Sequence, residues 1–199
     1  GGDGSFGAAL PFNSCVDPAD VAGGDVNGDG RTDVAVACTG TSIDLGRAPA
    51  IFVSLSDATG LSTTIRPLED VSERGFQGVT MANVVGDSTL DVIGACPDCS
   101  QVQIFANNGN GTFGNAQPFA VGDLNLPSTV AAGDVDGDGD LDLVVGGTKQ
   151  AAGTGGIAVL LGDGAGGFSA VTAAQRFATD LTVLQVVIVD LDGDGLAEI

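Results

Sequence analysis

Short apolar runs recur along the chain, and polar turns rich in glycine separate them. The clearest runs are residues 33–38, 50–55, 91–95, 101–105, 141–145 and 156–161. Runs of this length between turn residues predict β-strands. No segment longer than a turn or two has the 3.6-residue period of a helix, and the 33 glycines also disfavour helices. The pattern therefore predicts an all-β protein.

An acidic loop of nine residues occurs four times between such runs. The copies, which we call loops one to four, span residues 25–33, 83–91, 134–142 and 190–198. Their first positions lie 58, 51 and 56 residues apart, which indicates a repeat architecture. Apolar runs such as 129–132 and 184–189 precede the loops. Four short strands in each period of about 50–58 residues are the pattern of one β-propeller blade.

The spacing of residues within the loop predicts calcium binding. The intact copies place side-chain oxygens at positions 1, 3, 5 and 9 and glycine at positions 4 and 6. Calcium takes roughly 6–8 oxygen ligands at about 2.3–2.6 Å, so several carboxylates must converge on one point. Glycine permits the positive-φ bends that this curling requires. The closing acid comes at position 9 and not at position 12 as in the EF-hand, which predicts a calcium loop inside a β-hairpin.

We predict three calcium sites, in loops one, three and four. Side-chain oxygens at positions 1, 3, 5 and 9 and a backbone carbonyl at position 7 would hold each ion. The side-chain ligands are Asp25, Asn27, Asp29, Asp33, Asp134, Asp136, Asp138, Asp142, Asp190, Asp192, Asp194 and Glu198. The carbonyl ligands are Arg31, Asp140 and Leu196, and the carboxylate of Asp140 would remain in solvent. Loop three, with four ligand carboxylates, should bind most tightly.

Loop two departs from this pattern. Asn83 replaces the first acid, Val85 the position-3 ligand and Ser88 the second glycine. A metal-free turn is the favoured interpretation here; a fourth calcium would have to be held by Asn83, Asp87 and Asp91. For the other loops, the simpler alternative is an Asp-Gly hairpin turn without metal. Such a turn does not need acids at alternate positions, and those acids would repel one another without a cation.

The charge balance agrees with metal loops and argues against other partners. The chain has 26 acidic and six basic residues, a formal net charge of −20, and 14 of the acids fall in the four loops. Three bound calcium ions would reduce this charge to −14; a saline habitat is another explanation for an acidic chain. The basic residues form no patch, so nucleic acid and anionic membranes are poor partners. No run of about 20 apolar residues predicts membrane insertion.

The four cysteines point to an oxidising compartment. Cys96 and Cys99 lie between two predicted strands, where a Cys96–Cys99 disulfide would close the hairpin, and Cys15 would then pair with Cys38. The alternatives are free buried thiols, a redox pair or a zinc site. A thioredoxin-like pair needs a βαβ context, which the sequence does not predict. A zinc site usually needs two close cysteine pairs, whereas Cys15 and Cys38 are 23 positions apart.

Two recurring motifs resemble a known family. The first is the acidic loop followed by an apolar strand, and the second is Gly-x-Gly-x-Phe-Gly at residues 2–7 and 109–114. Together they resemble the FG-GAP/VCBS repeats of integrin α-subunit heads and of many bacterial secreted proteins. The resemblance covers essentially the whole chain. It implies an extracellular seven- or eight-bladed β-propeller with its cations in hairpins on one face.

The repeat divides the single domain, residues 1–199, into blades of four antiparallel strands. We expect three complete blades at residues 18–68, 69–122 and 123–178. Residues 1–17 would be the last strand and connection of a preceding blade, and residues 179–199 the start of the next. We therefore expect a fragment of a larger propeller, although about 25 further residues would also complete a four-bladed ring.

The composition favours a binding or structural module over an enzyme. The chain has no His, Tyr or Trp, so the usual general base is missing and the carboxylate pairs are committed to metal. We predict an extracellular or cell-surface calcium-binding module with a structural, adhesive or protein-interaction role in an extracellular assembly. The alternatives are a lectin-like glycan-binding propeller and part of a calcium-dependent polysaccharide-active enzyme. Lectins commonly stack sugars on Trp or Tyr, both absent here, and the nine Phe fall largely at recurring strand positions, which indicates core between blades.

Overall fold

The computed structural model describes residues 17–40, 50–58, 60–68, 75–149, 154–170, 177–179 and 183–190. These residues form β-strands and no helix, which confirms the predicted all-β class. The strands are β1 Pro18–Gly24, β2 Asp33–Cys38, β3 Ile51–Asp57, β4 Gly60–Leu68, β5 Gly78–Ala82, β6 Asp91–Cys96, β7 Gln101–Phe105, β8 Gln117–Ala120, β9 Leu126–Gly133, β10 Asp142–Lys149, β11 Thr154–Gly162, β12 Phe168–Ala170 and β13 Phe177–Thr179. Within the described part of the chain, no helix is long and apolar enough to cross a membrane.

The strands form three antiparallel sheets with the same order. The first sheet is β1-β2-β3-β4, the second β5-β6-β7-β8 and the third β9-β10-β11-β12, with β13 also pairing with β11. Each sheet is a meander in which consecutive strands are neighbours, the arrangement of a propeller blade. Each of loops one to three connects the first strand of its sheet to the second strand. The acidic loop therefore has the same place in all three sheets.

The register of the hairpins places all three loops alike. Gly24 pairs with Asp33, Ala82 with Asp91 and Gly133 with Asp142. The residue before each loop therefore lies opposite its position-9 aspartate. The first strands are also neighbours, because β1 contacts β5 and β5 contacts β9. With residues 184–188, these strands line a cavity of about 680 Å³.

The core lies between the sheets, and side chains of the central strands alternate between its two halves. In β6, Val92 packs with the cluster of the first sheet, whereas Ile93 packs with the cluster of the third. In β10, Leu143 belongs to the core shared with the second sheet and Val144 to the core shared with residues 183–190. Since strand side chains alternate, each sheet is buried on both faces, as its almost unbroken apolar runs require.

The segment 183–190 packs on the third sheet as a further first strand would. Val186 is buried in the cluster that contains Val144, and Ile188 lies against Gly133. The predicted strand 184–189 forms no named strand, although it lies where the repeat places one. The predicted N-terminal strand at residues 1–17 falls almost wholly outside the described residues.

The structure contains one disulfide whose two ends are described. Cys96 and Cys99 are bonded, with their Cα atoms 5.3 Å apart, and close the turn between β6 and β7. Cys38 is also disulfide-bonded. Because Cys15 lies outside the described residues, the Cys15–Cys38 pairing stays a prediction.

Candidate metal centre

Loop three brings three carboxylates to one point. Carboxylate oxygens of Asp134, Asp136 and Asp138 lie within 4.8 Å of one another. Backbone N–H groups curl the loop around Asp134, whose Oδ1 accepts from Gly137 at 2.7 Å and whose Oδ2 accepts from Gly139 at 2.9 Å. Both glycines have positive φ, at 81° and 93°. The spacing predicted four converging side chains, and Asp142, the fourth, is not in this group.

These distances suit a calcium ion. Two oxygens that each lie about 2.4 Å from one ion are at most about 4.8 Å apart. The donor set is oxygen only and carries three negative charges, which favours a hard divalent cation. The carboxylate of Asp140, which we expected in solvent, lies beside Gly164 in the turn after β11, and the residue is half-buried.

Loop one has the same backbone arrangement. Asp25 Oδ1 accepts from Gly28 N at 2.7 Å, and Asp25 Oδ2 accepts from Gly30 N at 2.7 Å. These bonds, with that from Gly30 the strongest, lower the pKa of Asp25 from its usual value and keep it ionised. Arg31 Nη1 lies 3.1 Å from Asp29 Oδ2, an ion pair that was not predicted from the sequence. The guanidinium therefore neutralises one of the carboxylates that we expect to bind calcium.

The position-9 aspartates do more than close the loops. Asp33, Asp91 and Asp142 are fully buried, and each accepts backbone N–H groups from two places. In the third sheet, Asp142 Oδ2 accepts from Val135 N at 2.8 Å and Asp142 Oδ1 from Gly162 N at 2.9 Å. Each such carboxylate joins its own loop to the end of the third strand of the same sheet.

The same pattern holds in the other sheets. Asp33 accepts from Val26 N and Ser56 N, and Asp91 accepts from Val84 N and Asn107 N. Burial raises the pKa of Asp91 and Asp142 above the ordinary value, because desolvation disfavours the charged form more than the hydrogen bonds favour it.

Loop two keeps the backbone shape of the other loops but lacks an oxygen ligand at position 3. Gly86 and Ser88 both have φ of 73°, so the chain curls as in the other loops even with serine at the second kink. Val85 occupies loop position 3, where the other loops have a predicted ligand, and lies against Gly166 of the third sheet. Asn83 Oδ1 is buried without a hydrogen-bond partner. The three candidate ligands of loop two, Asn83, Asp87 and Asp91, therefore lie on a curled backbone. At position 3, however, the apolar side chain of Val85 replaces the oxygen that the other loops offer.

Contacts between neighbouring sheets also reach the loops. Asn107, which follows β7, donates from Nδ2 to the carbonyl of Val26 in loop one at 2.7 Å. In the next pair of sheets, the carbonyl of Gly164 lies against Gly86 of loop two. Asn107 was not among the residues predicted from the sequence. Its position beside a Gly-x-Gly-x-Phe motif, in Asn107-Asn-Gly-Asn-Gly-Thr-Phe113, was the signal that could have found it.

Loop four is only partly visible. Asp190, its first residue, is exposed. Its other predicted ligands, Asp192, Asp194, Leu196 and Glu198, lie outside the described residues. Calcium at this loop stays a prediction from its sequence.

Similarity to a solved structure concerns the fold. A lectin of Agrocybe aegerita, described for specific recognition of non-reducing terminal N-acetylglucosamine, is similar with a TM-score of 0.53 and 24% sequence identity. The match covers 88% of this chain and 44% of that chain, so this chain spans less than half the length of the lectin. No curated protein matches the sequence.

Two family matches fall on the loops described above. Residues 18–38, which contain loop one, match the FG-GAP repeat. Residues 83–145, which contain loops two and three, match the FG-GAP-like repeat. The matched ranges contain the acidic loops of all three sheets, and they support an assignment to the FG-GAP repeat family.

Proposed function

We propose that this chain is a non-catalytic, calcium-stabilised β-propeller module of an extracellular protein, with a structural, adhesive or protein-interaction role. The observation that carries the proposal is the convergence of Asp134, Asp136 and Asp138 in loop three. Its sheets would be consecutive blades of a propeller, with boundaries at residues 18–68, 69–122 and 123–178, and the ions would lie in the hairpins of one face.

Calcium would act on the fold through charge. The carboxylates of loop three repel one another at these distances, and a divalent ion turns this repulsion into attraction. In loop one, calcium would bind Asp25, Asn27, Asp29 and Asp33, and Asp29 would exchange its contact with Arg31 for the ion. Because the ion binds the folded loop and hardly binds the unfolded chain, it stabilises by mass action.

The disulfide and the calcium loops support an extracellular location, which is part of this proposal. The Cys96–Cys99 disulfide persists in oxidising compartments and is uncommon in the cytosol. Calcium sites of extracellular modules commonly bind at about 10⁻⁴–10⁻³ M, a concentration that the cytosol does not supply. The sequence also has no histidine, tyrosine or tryptophan, which removes the usual general base and favours a non-catalytic module.

The test is calcium content together with thermal stability. We expect calcium to bind in equilibrium dialysis against millimolar calcium, and a melting temperature that chelator lowers by several degrees, since calcium at 100 times its Kd stabilises by about 2.7 kcal/mol per site. Asp138→Ala should remove part of this response. Asp163→Asn is the matched control, because Asp163 is an exposed carboxylate outside the acidic loops. A melting temperature that chelator leaves unchanged would contradict the proposal.

A second candidate is glycan binding, which the fold similarity to the Agrocybe aegerita lectin favours. Against it, the chain has neither Trp nor Tyr to stack a sugar ring. Asp20 lines the cavity between the first strands of the sheets, but its carboxylate already accepts hydrogen bonds from the N–H groups of Val21 and Val79. A glycan array in calcium, with glycans that end in N-acetylglucosamine, tests it. Calcium-dependent binding there would favour this candidate, whereas binding only to a protein partner would favour the first.

A further inference from the structure

We infer that Asn107 is a positioning residue that couples loop one to the second sheet and strengthens calcium binding at loop one, although it offers the ion no ligand. This inference rests on the proposed calcium binding of loop one. It concerns a side chain of the neighbouring sheet, 81 residues away from the loop position that it contacts.

Asn107 is 4% exposed and uses every polar atom of its side chain. Its Nδ2 donates to the carbonyl of Val26 at 2.7 Å and to the carbonyl of Leu90 at 2.9 Å. Its Oδ1 accepts from Gly109 N at 3.0 Å. Its backbone N–H donates to Asp91 Oδ1 at 2.9 Å. One side chain therefore joins loop one to loop two across the boundary between two sheets.

The contact falls on the part of loop one that orients the ligands. Val26 stands between Asp25 and Asn27, the ligands at positions 1 and 3. Its N–H donates to Asp33 Oδ2 at 3.0 Å, and its carbonyl accepts from Asn107. With both sides of Val26 held, the directions of the flanking side chains are set before the ion arrives. Pre-organisation of this kind lowers the ordering cost of binding and raises affinity.

The repeat itself provides an internal comparison. The residues whose N–H groups bind the position-9 carboxylates are Ser56, Asn107 and Gly162 in the three sheets. Gly162 has no side chain, so loop two receives no such contact from the third sheet. Asn107 contacts loop one and loop two but no residue of loop three. Its removal should therefore weaken binding at loop one and leave loop three unchanged.

The experiment is a calcium titration followed by amide NMR signals of the whole chain. Gly30 reports on loop one and Gly139 on loop three, since their N–H groups donate to the first aspartate of each loop. For Asn107→Ala we expect about tenfold weaker calcium binding at Gly30 and unchanged binding at Gly139. Asn108→Ala is the matched control, because Asn108 is exposed and its side chain contacts only Thr112 of its own turn.

The outcomes separate this inference from the proposed function. If the Gly30 signal of the wild-type protein does not change when calcium is added, calcium binding at loop one is itself contradicted. If the wild-type protein binds calcium at loop one, two results for Asn107→Ala would overturn the coupling alone. These are an unchanged calcium affinity at loop one and an equal loss of calcium affinity at loops one and three.

A second measurement leaves Asn107 intact and applies if Asn107→Ala does not fold. Coupling is reciprocal, so calcium should slow hydrogen exchange of the Asn107 amide. Asp29→Ala, which removes a ligand of loop one, should abolish that protection, while Asp138→Ala in loop three should preserve it. Equal protection in Asp29→Ala and in the wild-type protein would refute the coupling.

Discussion

At the scale of single residues, the position-9 aspartate has one role that the sequence predicts and another that only the structure shows. Its place in the loop predicts a calcium ligand, whereas the structure shows a buried carboxylate that accepts N–H groups from its loop and from the third strand. A carboxylate oxygen has lone pairs for both kinds of partner. The hydrogen bonds exist without the ion, so this residue should stabilise the fold even in chelator.

The first prediction separates the two roles. In chelator, Asp142→Ala should lower the free energy of unfolding by about 2–4 kcal/mol, because the buried N–H groups of Val135 and Gly162 lose their charged acceptor. Asp136→Ala, at an exposed ligand position of the same loop, should change it by about 0.5 kcal/mol or less. Urea unfolding in chelator measures both, and equal effects of the two variants would contradict the buried role.

At the scale of the element, the acidic loop keeps its curled backbone even where residues at the ligand positions are replaced, as in loop two. Ser88 adopts a φ of 73° in loop two, although this conformation is sterically unfavourable for residues other than glycine. The curl is held by the hairpin register, since Ala82 and Asp91 pair as the corresponding residues of the other sheets do. Val85 uses the same position for an apolar contact with Gly166. Loop two thus makes a contact between sheets at the position where loops one and three have a predicted ligand.

The second prediction restores the ligands of loop two. Asn83→Asp combined with Val85→Asp should add one calcium per chain, because the backbone already curls as in loops one and three. In chelator, the same variant should be less stable by about 1–2 kcal/mol, since the apolar contact is lost and carboxylates gather without a cation. Calorimetric stoichiometry and urea unfolding check the two parts. Val85→Ala is the control. It should lose stability because the apolar contact is removed, but it should bind no additional calcium.

At the scale of the whole molecule, stability depends on how closely one sheet approaches the next. A Cβ at Gly78 would lie 2.8 Å from the carbonyl oxygen of Ser128 and 2.8 Å from the Cα of Thr129. Both neighbours are backbone atoms of β9, so no side chain can turn away. Glycine is therefore required where the second and third sheets meet near the central cavity.

The third prediction tests this close approach. Gly78→Ala should lower the free energy of unfolding by about 1–3 kcal/mol, since the third sheet must move to admit the methyl group. Gly114→Ala should be nearly neutral, because its added Cβ meets only the carbonyl oxygen of Ala106 at 3.7 Å. Neither glycine has positive φ, so backbone strain does not confuse the comparison. Thermal unfolding that ranks the variants equally would argue against the tight contact.

The sequence by itself determined the strands and the place of the loops within them. The apolar runs 33–38 and 101–105 coincide with β2 and β7, and the acidic loops connect first and second strands as their spacing predicts. These features are local, because alternation, turn chemistry and ligand spacing act over fewer than ten residues. The family resemblance follows from the same local motifs.

Only the tertiary structure decided what each loop touches. The contact of Asn107 with Val26 spans 81 residues, and that of Val85 with Gly166 joins two sheets. The second partner of Asp142 is Gly162, at the far end of another strand. No local rule encodes such pairs, since they depend on how one sheet stacks on the next. Stacking follows from the shapes of whole apolar faces, and these are set by many residues at once.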